Sequence, residues 1–393
     1  MATVSFQEAR SIVIREVRPA PATESIPLLA AAGRVIAEDI PADRDYPPVP
    51  RSVRDGFAVR SSDEPRGLRV IGEVRAGESF QGEVSPGETV EIMTGAPLPA
   101  GADAVVMIEH VTRDGDRITT DRTITAGDNI NPQGSEAHKG DIVLPRGRRL
   151  AYTDFALLAT VGRGTVTVHP KPRVAIVATG DEIVEVGEIP LDFQVRNSNA
   201  CSLAVQVERA GGIPEILPIA RDNYDSTHAA IQRGLDSDLL LLSGGVSAGK
   251  YDIVERVLAD FGAEFFFDRV LIQPGQPLVF GHARQKFFFG LPGNPSSTMV
   301  CFELFARAAI DVMSGIADPK LPFTLARLTE SFRQRPGLTR FLPATLWGDG
   351  HLTPIRWAGS SDVPSMARAN AFLVTEPDRE SWDSGDLIRV LPK

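Results

Sequence analysis

Leu239-Leu240-Leu241-Leu242-Ser243-Gly244-Gly245-Val246-Ser247-Ala248-Gly249-Lys250-Tyr251-Asp252 passes from an uninterrupted apolar run, through a glycine-rich loop, into a helical pattern. A second junction of the same kind follows at Phe287-Phe288-Phe289-Gly290-Leu291-Pro292-Gly293-Asn294-Pro295-Ser296-Ser297. Each predicts a strand, a loop and a helix N-terminus, where backbone N–H groups face outward and the helix dipole favours negative charge. Two such loops in one stretch of chain predict one extended phosphorylated ligand.

The neighbouring segments obey the same grammar. Residues 174–178 form an apolar strand that leaves through Thr179-Gly180-Asp181-Glu182. Helices are predicted over 198–210, 225–235 and 252–261, and strands over 215–219, 265–272 and 278–281. Asn294 is expected to cap a helix that has Pro295 in its first turn and runs to about residue 313. The alternation predicts an α/β domain, a parallel-rich sheet with helices on both faces. Ligands in such sheets bind at the carboxyl ends of the strands, where both glycine loops and Asp181-Glu182 emerge.

Outward from this domain the pattern changes. Residues 5–20 read as a helix capped by Ser5, with residues 28–40 continuing the same body. Asp45-Tyr46-Pro47-Pro48-Val49-Pro50 breaks it. Short strands at 56–59, 68–74, 89–93 and 104–108 predict an inserted β module, and residues 152–160 a return to helix. After Ala317-Asp318-Pro319 the strands at 323–328, 339–346, 352–356, 371–374 and 387–391 predict a C-terminal β-barrel-like domain. The expected division is 1–46 with 138–172, then 47–137, 173–318 and 319–393.

The 393 residues exceed one ordinary core. With 42% hydrophobic and 23% charged residues, the composition is that of a soluble globular chain, and no apolar run is long enough for a membrane span. No secretory signal is expected at the N-terminus. The net charge of −10 argues against a nucleic-acid surface. It is compatible with an anionic ligand held by backbone N–H groups, local arginines and a divalent cation. Cys201 and Cys301 are expected to be reduced core thiols of a cytoplasmic protein, and the six histidines show no metal spacing.

Each motif has a plainer reading beside the functional one. Gly244 to Lys250 matches most of a nucleotide-binding P-loop but has Tyr251 where a Mg²⁺-binding hydroxyl belongs. Asp181 and Glu182 suit either an acid pair facing a ligand or the first turn of a helix. Asp55-Gly56 and Thr94-Gly95-Ala96-Pro97 would, alone, be ordinary turns. Arg340 and Ser360 could bind an oxyanion or simply be solvated.

Taken in order, Ser52-Val53-Arg54-Asp55-Gly56-Phe57-Ala58-Val59, Met93-Thr94-Gly95-Ala96-Pro97, Thr179-Gly180-Asp181-Glu182, Ser243-Gly244-Gly245-Val246-Ser247 with Tyr251-Asp252, and Leu291-Pro292-Gly293-Asn294-Pro295 resemble the MoeA family over nearly the whole chain. These are the molybdenum insertases of molybdenum-cofactor synthesis, related to the gephyrin E domain. The resemblance implies a four-domain chain in an elongated homodimer, with each active site between the α/β domain of one protomer and the β module of the other. It implies release of AMP from adenylyl-molybdopterin as molybdate is inserted, with Mg²⁺ or another divalent cation, and contact with the molybdopterin adenylyltransferase. The adenylyltransferase reaction itself, and a gephyrin-like scaffold without catalysis, are the alternative readings.

Carried onto this sequence, the resemblance implies catalytic roles for Asp55, Thr94, Glu136 (where an aspartate is more usual), Glu182 and Asp252. It implies metal contacts at Asp252 and Asp222. The ligand cradle would be Ser243, Gly244, Gly245, Ser247, Gly249, Pro292, Gly293, Asn294, Pro295 and Ser296. The molybdate pocket would be Arg269, Gln273, Arg340 and Ser360. Many relatives carry Lys-Pro-Gly-Lys-Pro where this chain has Gln273-Pro274-Gly275-Gln276-Pro277. Two charges are therefore missing, and glutamine donates to an oxyanion without charge assistance.

Overall fold

The structure, a computed structural model, describes residues 3–63, 66–245 and 251–393, and of Arg66, Tyr251 and Asp252 the backbone alone. The glycine loops sit on a six-stranded sheet. Its strands are β1 (Arg173–Ala178), β2 (Ile213–Ile216), β3 (Leu239–Ser243), β4 (Glu264–Phe267), β5 (Val279–Ala283) and β6 (Lys286–Leu291), in the order β2-β1-β3-β6-β5-β4. The helices are α1 (Ser198–Ala210), α2 (Tyr224–Gly234), α3 (Tyr251–Asp260) and α4 (Pro295–Cys301). After β1 the chain steps outward to β2 and then returns to the other side of β1 as β3. That reversal is a topological switch point, and it falls between β1 and β3.

The leucine run explains itself in this sheet. Leu239 and Leu241 join Val174, Ile176, Phe289 and Leu291 in the core under α1 and the helix that begins at Pro295. Leu240 and Leu242 join Ala175, Val177 and Phe288 in the core under α2 and α3. All four leucines are fully buried, each contributing about 1.5–3 kcal/mol by burial. The sheet is not parallel throughout: β2, β1, β3 and β6 pair in parallel, but β5 is reversed and pairs antiparallel with both β6 and β4. Arg284 and Gln285 have φ of 47° and 63°, so β5 and β6 close as a tight two-residue hairpin with no crossover helix.

The helix from Pro295 does reach Met313, through a π-helical segment at Phe302–Ala306. The N-terminal helix is shorter than expected, Phe6–Glu16, with Ser5 accepting from the Glu8 N–H. It stops before Pro19, which disfavours helical backbone at the residue preceding it. Residues 28–40 are not its continuation: a 3₁₀ turn at Leu28–Ala31 follows a strand at Glu24–Pro27. The six-stranded β module covers residues 56–120. At the C-terminus, Thr324–Leu328, Thr339–Leu346, His351–Pro354, Ala371–Thr375 and Leu387–Pro392 pair in a closed ring. Phe341 of that barrel meets Phe6 edge-on at 5.3 Å, within the same core as β1, β3 and β6. The barrel is thereby packed onto the α/β domain.

Cys301 is buried, and burial pushes its thiol pKa up. Cys201 is exposed, against expectation. The buried stripe of α1 is Ala200, Leu203, Val207 and Ala210, and position 201 lies off it.

Candidate active site

The carboxyl ends of β1, β3 and β6 lie side by side, and their loops touch. Thr179 donates its N–H to the Ser243 carbonyl at 3.0 Å, and Gly244 donates to the Leu291 carbonyl at 3.2 Å. Gly244 and Gly245 take φ of 94° and 71°. A Cβ on Gly244 would stand 2.6 Å from the Thr179 carbonyl oxygen, and one on Gly293 would stand 3.5 Å from the Gly244 Cα. The two loops therefore form one surface rather than two separate cradles. Not every N–H expected at the ligand is available: those of Gly244 and Ser296 are used within the protein. Among the described residues, those of Gly245, Gly293 and Asn294 have no acceptor.

Asn294 occupies the cap position before α4, with Pro295 in the first turn, but its side chain makes no capping bond. Thr298 Oγ1 instead donates to the Pro292 and Asn294 carbonyls. Asn199, which the motif reading missed, lies beneath the loops. Its Nδ2 donates to Ser243 Oγ and to the Gly293 carbonyl, both at 2.8 Å.

The Thr179–Glu182 exit does not start a helix. Ile183–Val184 is a short strand paired with Val195–Arg196. Asp181 Oδ1 accepts from the Asp222 N–H at 3.1 Å, and Asp222 Oδ2 from the Asp181 N–H at 3.5 Å. Arg221 Nη1 donates to the Ile183 carbonyl at 3.0 Å, bracing the turn. Glu182 folds back over Gly180, where a Cβ would be 2.6 Å from its Oε2. Asp181, Glu182 and Asp222 thus collect beside the switch point. No group of three or more His, Cys, Asp or Glu among the described residues is arranged to hold a metal unaided. Ser247, Gly249 and the Asp252 side chain lie outside the described residues.

Of the residues expected around molybdate, Ser360 meets the start of α4 and Gln273 lies opposite Arg340. Ile272–Gln273 pairs in parallel with the barrel strand, so that Gln273 is the register partner of Arg340. The Ser360 carbonyl accepts the Ser296 N–H at 3.0 Å. Gly275, φ 102°, lies against α4, where a Cβ would be 2.3 Å from Cys301 Sγ. Arg340 is half-buried, its Nη2 donating to the Arg335 carbonyl and its buried Nε without a partner among the described residues. Desolvation and the neighbouring Arg335 hold its pKa below the usual value. Arg269 is exposed beside Thr3 on a separate two-stranded ladder, and no described contact joins it to Gln273.

A third group lies on the β module. Asp55 Oδ1 accepts from the Thr94 N–H at 2.6 Å and from Thr94 Oγ1 at 2.8 Å. Ser52 pairs with Ile130 in a short ladder, and Asn131, the next residue, donates from Nδ2 to Glu136 Oε1 at 3.0 Å. Gly56 is not a turn glycine: it begins a strand, and a Cβ there would be 1.9 Å from the Val106 carbonyl oxygen. Among the described residues no hydrogen bond joins 47–137 to 173–318.

Thr94 holds the Asp55 carboxyl below its usual range, the backbone N–H contributing more than the hydroxyl. Because the folded value lies below the unfolded one, these bonds favour the fold above about pH 4 and cease to as pH falls through the lowered value. Thr94→Val is expected to raise the Asp55 pKa part of the way back, read by carboxyl-carbon NMR titration. An unmoved titration would contradict the hydroxyl contact.

This α/β domain with paired glycine loops defines a molybdopterin-binding type of multidomain chain: residues 175–311 match the family described as a probable molybdopterin binding domain. Residues 4–162 match the MoeA N-terminal region (domain I and II) and residues 325–393 the MoeA C-terminal region (domain IV), and the chain belongs to the MoeA family. It is 37% identical to the molybdopterin molybdenumtransferase of Bacillus subtilis, over 94% of this chain and 89% of that one. It is 31% identical to the enzyme of the same name from Staphylococcus aureus, over 99% and 95%. The crystal structure of a molybdopterin biosynthesis MoeA protein from Pyrococcus horikoshii superposes with a TM-score of 0.85 at 29% identity, covering all of both chains.

Proposed function

We propose that this chain is a molybdopterin molybdenumtransferase that inserts molybdate into adenylyl-molybdopterin and releases AMP. The observation that carries this reading is the seam at α4. There the Ser360 carbonyl accepts the Ser296 N–H, and Gln273 lies opposite Arg340 in register, which supports an oxyanion pocket beside the second glycine loop. A site that binds a phosphorylated ligand on one side and an oxyanion on the other suits transfer of an oxometal to a nucleotide-linked pterin.

The Gly245, Gly293 and Asn294 N–H groups hold the phosphates. Arg340, with Gln273 and Ser360, holds the tetrahedral oxyanion. Asp222 and Asp252 would hold a divalent cation, which supplies charge neutralisation at the pyrophosphate. Mg²⁺ is commonly bound by one or two carboxylates together with substrate phosphates, and this acidic donor set fits that pattern. Asp252 and Glu182 orient the group cleaved from the nucleotide. Asp55, kept ionised by Thr94, and Glu136 act from the β module. In a homodimer each β module would serve the partner's α/β domain, bringing these two carboxylates to the glycine loops. Contact with the molybdopterin adenylyltransferase would deliver the substrate, and unpaired Cys201 and Cys301 suit a cytoplasmic site of action. The chain divides at 1–46 with 138–172, 47–137, 173–318 and 319–393. Among the described residues no helix is long and apolar enough to cross a membrane.

Incubation with adenylyl-molybdopterin, Mg²⁺ and molybdate should yield a product that activates a cofactor-free molybdoenzyme. Failure with all components present would overturn the reading. Arg340→Ala is expected to raise the KM for molybdate about tenfold or more, since a hydrogen bond to a charged group contributes about 1.5–3 kcal/mol. An unchanged molybdate KM would remove Arg340 from the oxyanion pocket.

A further inference from the structure

Asn199 lies in the first turn of α1 and is 7% exposed. It does not cap its own helix, because Asn197 does so by accepting from the Ala200 N–H. Its amide instead spans the two glycine loops. One NH₂ group donates at 2.8 Å to Ser243 Oγ, at the end of β3, and at 2.8 Å to the Gly293 carbonyl, in the loop after β6. A carbonyl can only accept, so the Gly293 bond fixes which end of the amide faces the loops. Asn199 Oδ1 is buried and has no partner among the described residues, as is the case for Thr179 Oγ1 beside Gly244 and Gly245.

We propose that Asn199 is a positioning residue for the transfer reaction: its amide sets the separation of the two glycine loops and hence the grip of Gly245 and Gly293 on the phosphates. This rests on the molybdenumtransferase reading above. The β3–β6 ladder ends at the Ser243–Leu291 pair, with the Gly244 N–H to the Leu291 carbonyl at 3.2 Å just beyond it, and past that point the Asn199 amide ties the loops together. Among the described residues, Asn199 is the side chain bonded to both loops. Without its donors the loops remain folded but lose their fixed spacing.

Asn199→Asp keeps the shape and removes the donors, placing a carboxylate against the Gly293 carbonyl. Three readouts separate positioning from a merely structural role. Adenylyl-molybdopterin affinity is expected to fall about tenfold or more. Hydrogen exchange in peptides spanning 239–245 and 287–296 should quicken. The molybdate KM should stay at the parent value, because the oxyanion donors lie on the barrel side. If Asn199→Asp does not fold, Asn199→Ser, too short to span both loops, removes the clamp without a buried charge and should shift affinity and exchange in the same direction. Unchanged adenylyl-molybdopterin affinity in a folded variant overturns the proposal and leaves the enzymatic reading intact. Conversely, a parent that binds adenylyl-molybdopterin in an Asn199-dependent way but forms no molybdenum product overturns the enzymatic reading and leaves the clamp standing.

Discussion

Gly56→Ala is expected to be the most damaging single-methyl change in the β module. The added Cβ would sit 1.9 Å from the Val106 carbonyl oxygen and 2.8 Å from its carbon, both backbone atoms of the neighbouring strand. A side chain could rotate away; a strand carbonyl cannot move more than an ångström without breaking its ladder. The strand Gly56–Val59 is buried along its length and paired on both sides, with Met107 and Ile92 opposite Gly56. Overpacking usually costs about 1–3 kcal/mol, and a backbone-to-backbone conflict belongs at or above the top of that range. Thermal unfolding followed by circular dichroism should show the β module melting early. Asp55, one residue away, would be displaced from Thr94, so activity should fall with stability. A variant that melts within a degree of the parent would mean that the strands are not paired as described.

Gly244→Ala should have the largest effect on ligand binding. Its φ of 94° is a region that residues with side chains rarely adopt, and the new methyl would lie 2.6 Å from the Thr179 carbonyl oxygen. Strain of this kind costs about 1–3 kcal/mol before any clash is added. The loop would relieve it by lifting away from Thr179, toward Gly293 and the ligand. Misplacement by about an ångström at a site that works by positioning can cost about 100-fold in rate. Adenylyl-molybdopterin binding and turnover should both fall by at least that order, while the barrel and β module melt as in the parent. Retained binding would show that the two loops do not grip the ligand together.

Much of this site was legible because its signals are local. Leu239–Leu242 has no polar face, so it had to be a strand buried on both sides, and the loop after it had to lie at the sheet's carboxyl edge. Other features depend on partners that no short window contains. Gly56 looked like half of a turn dipeptide, but the reason for glycine there is the Val106 carbonyl, fifty residues along the chain. Asn199 bonds to residues 44 and 94 positions away, and its own surroundings in sequence suggest only a helix start. The Arg284-Gln285 hairpin was hidden because neither residue is the glycine or asparagine that usually marks such a turn. Cys201 could have been placed correctly: the stripe Ala200, Leu203, Val207, Ala210 already put it off the buried face. Arg269 matched a motif position, and its pairing with Thr3 could not be read from that motif.

The proposed transfer makes a specific demand on the chemistry, that nucleotide release depends on the oxyanion. The direct measurement is AMP released from adenylyl-molybdopterin by the purified chain with Mg²⁺, as molybdate is varied from none to saturation. The account predicts negligible release without molybdate, a saturable rise with it, and one AMP per molybdenum bound in the product. AMP release at the same rate with and without molybdate would contradict it.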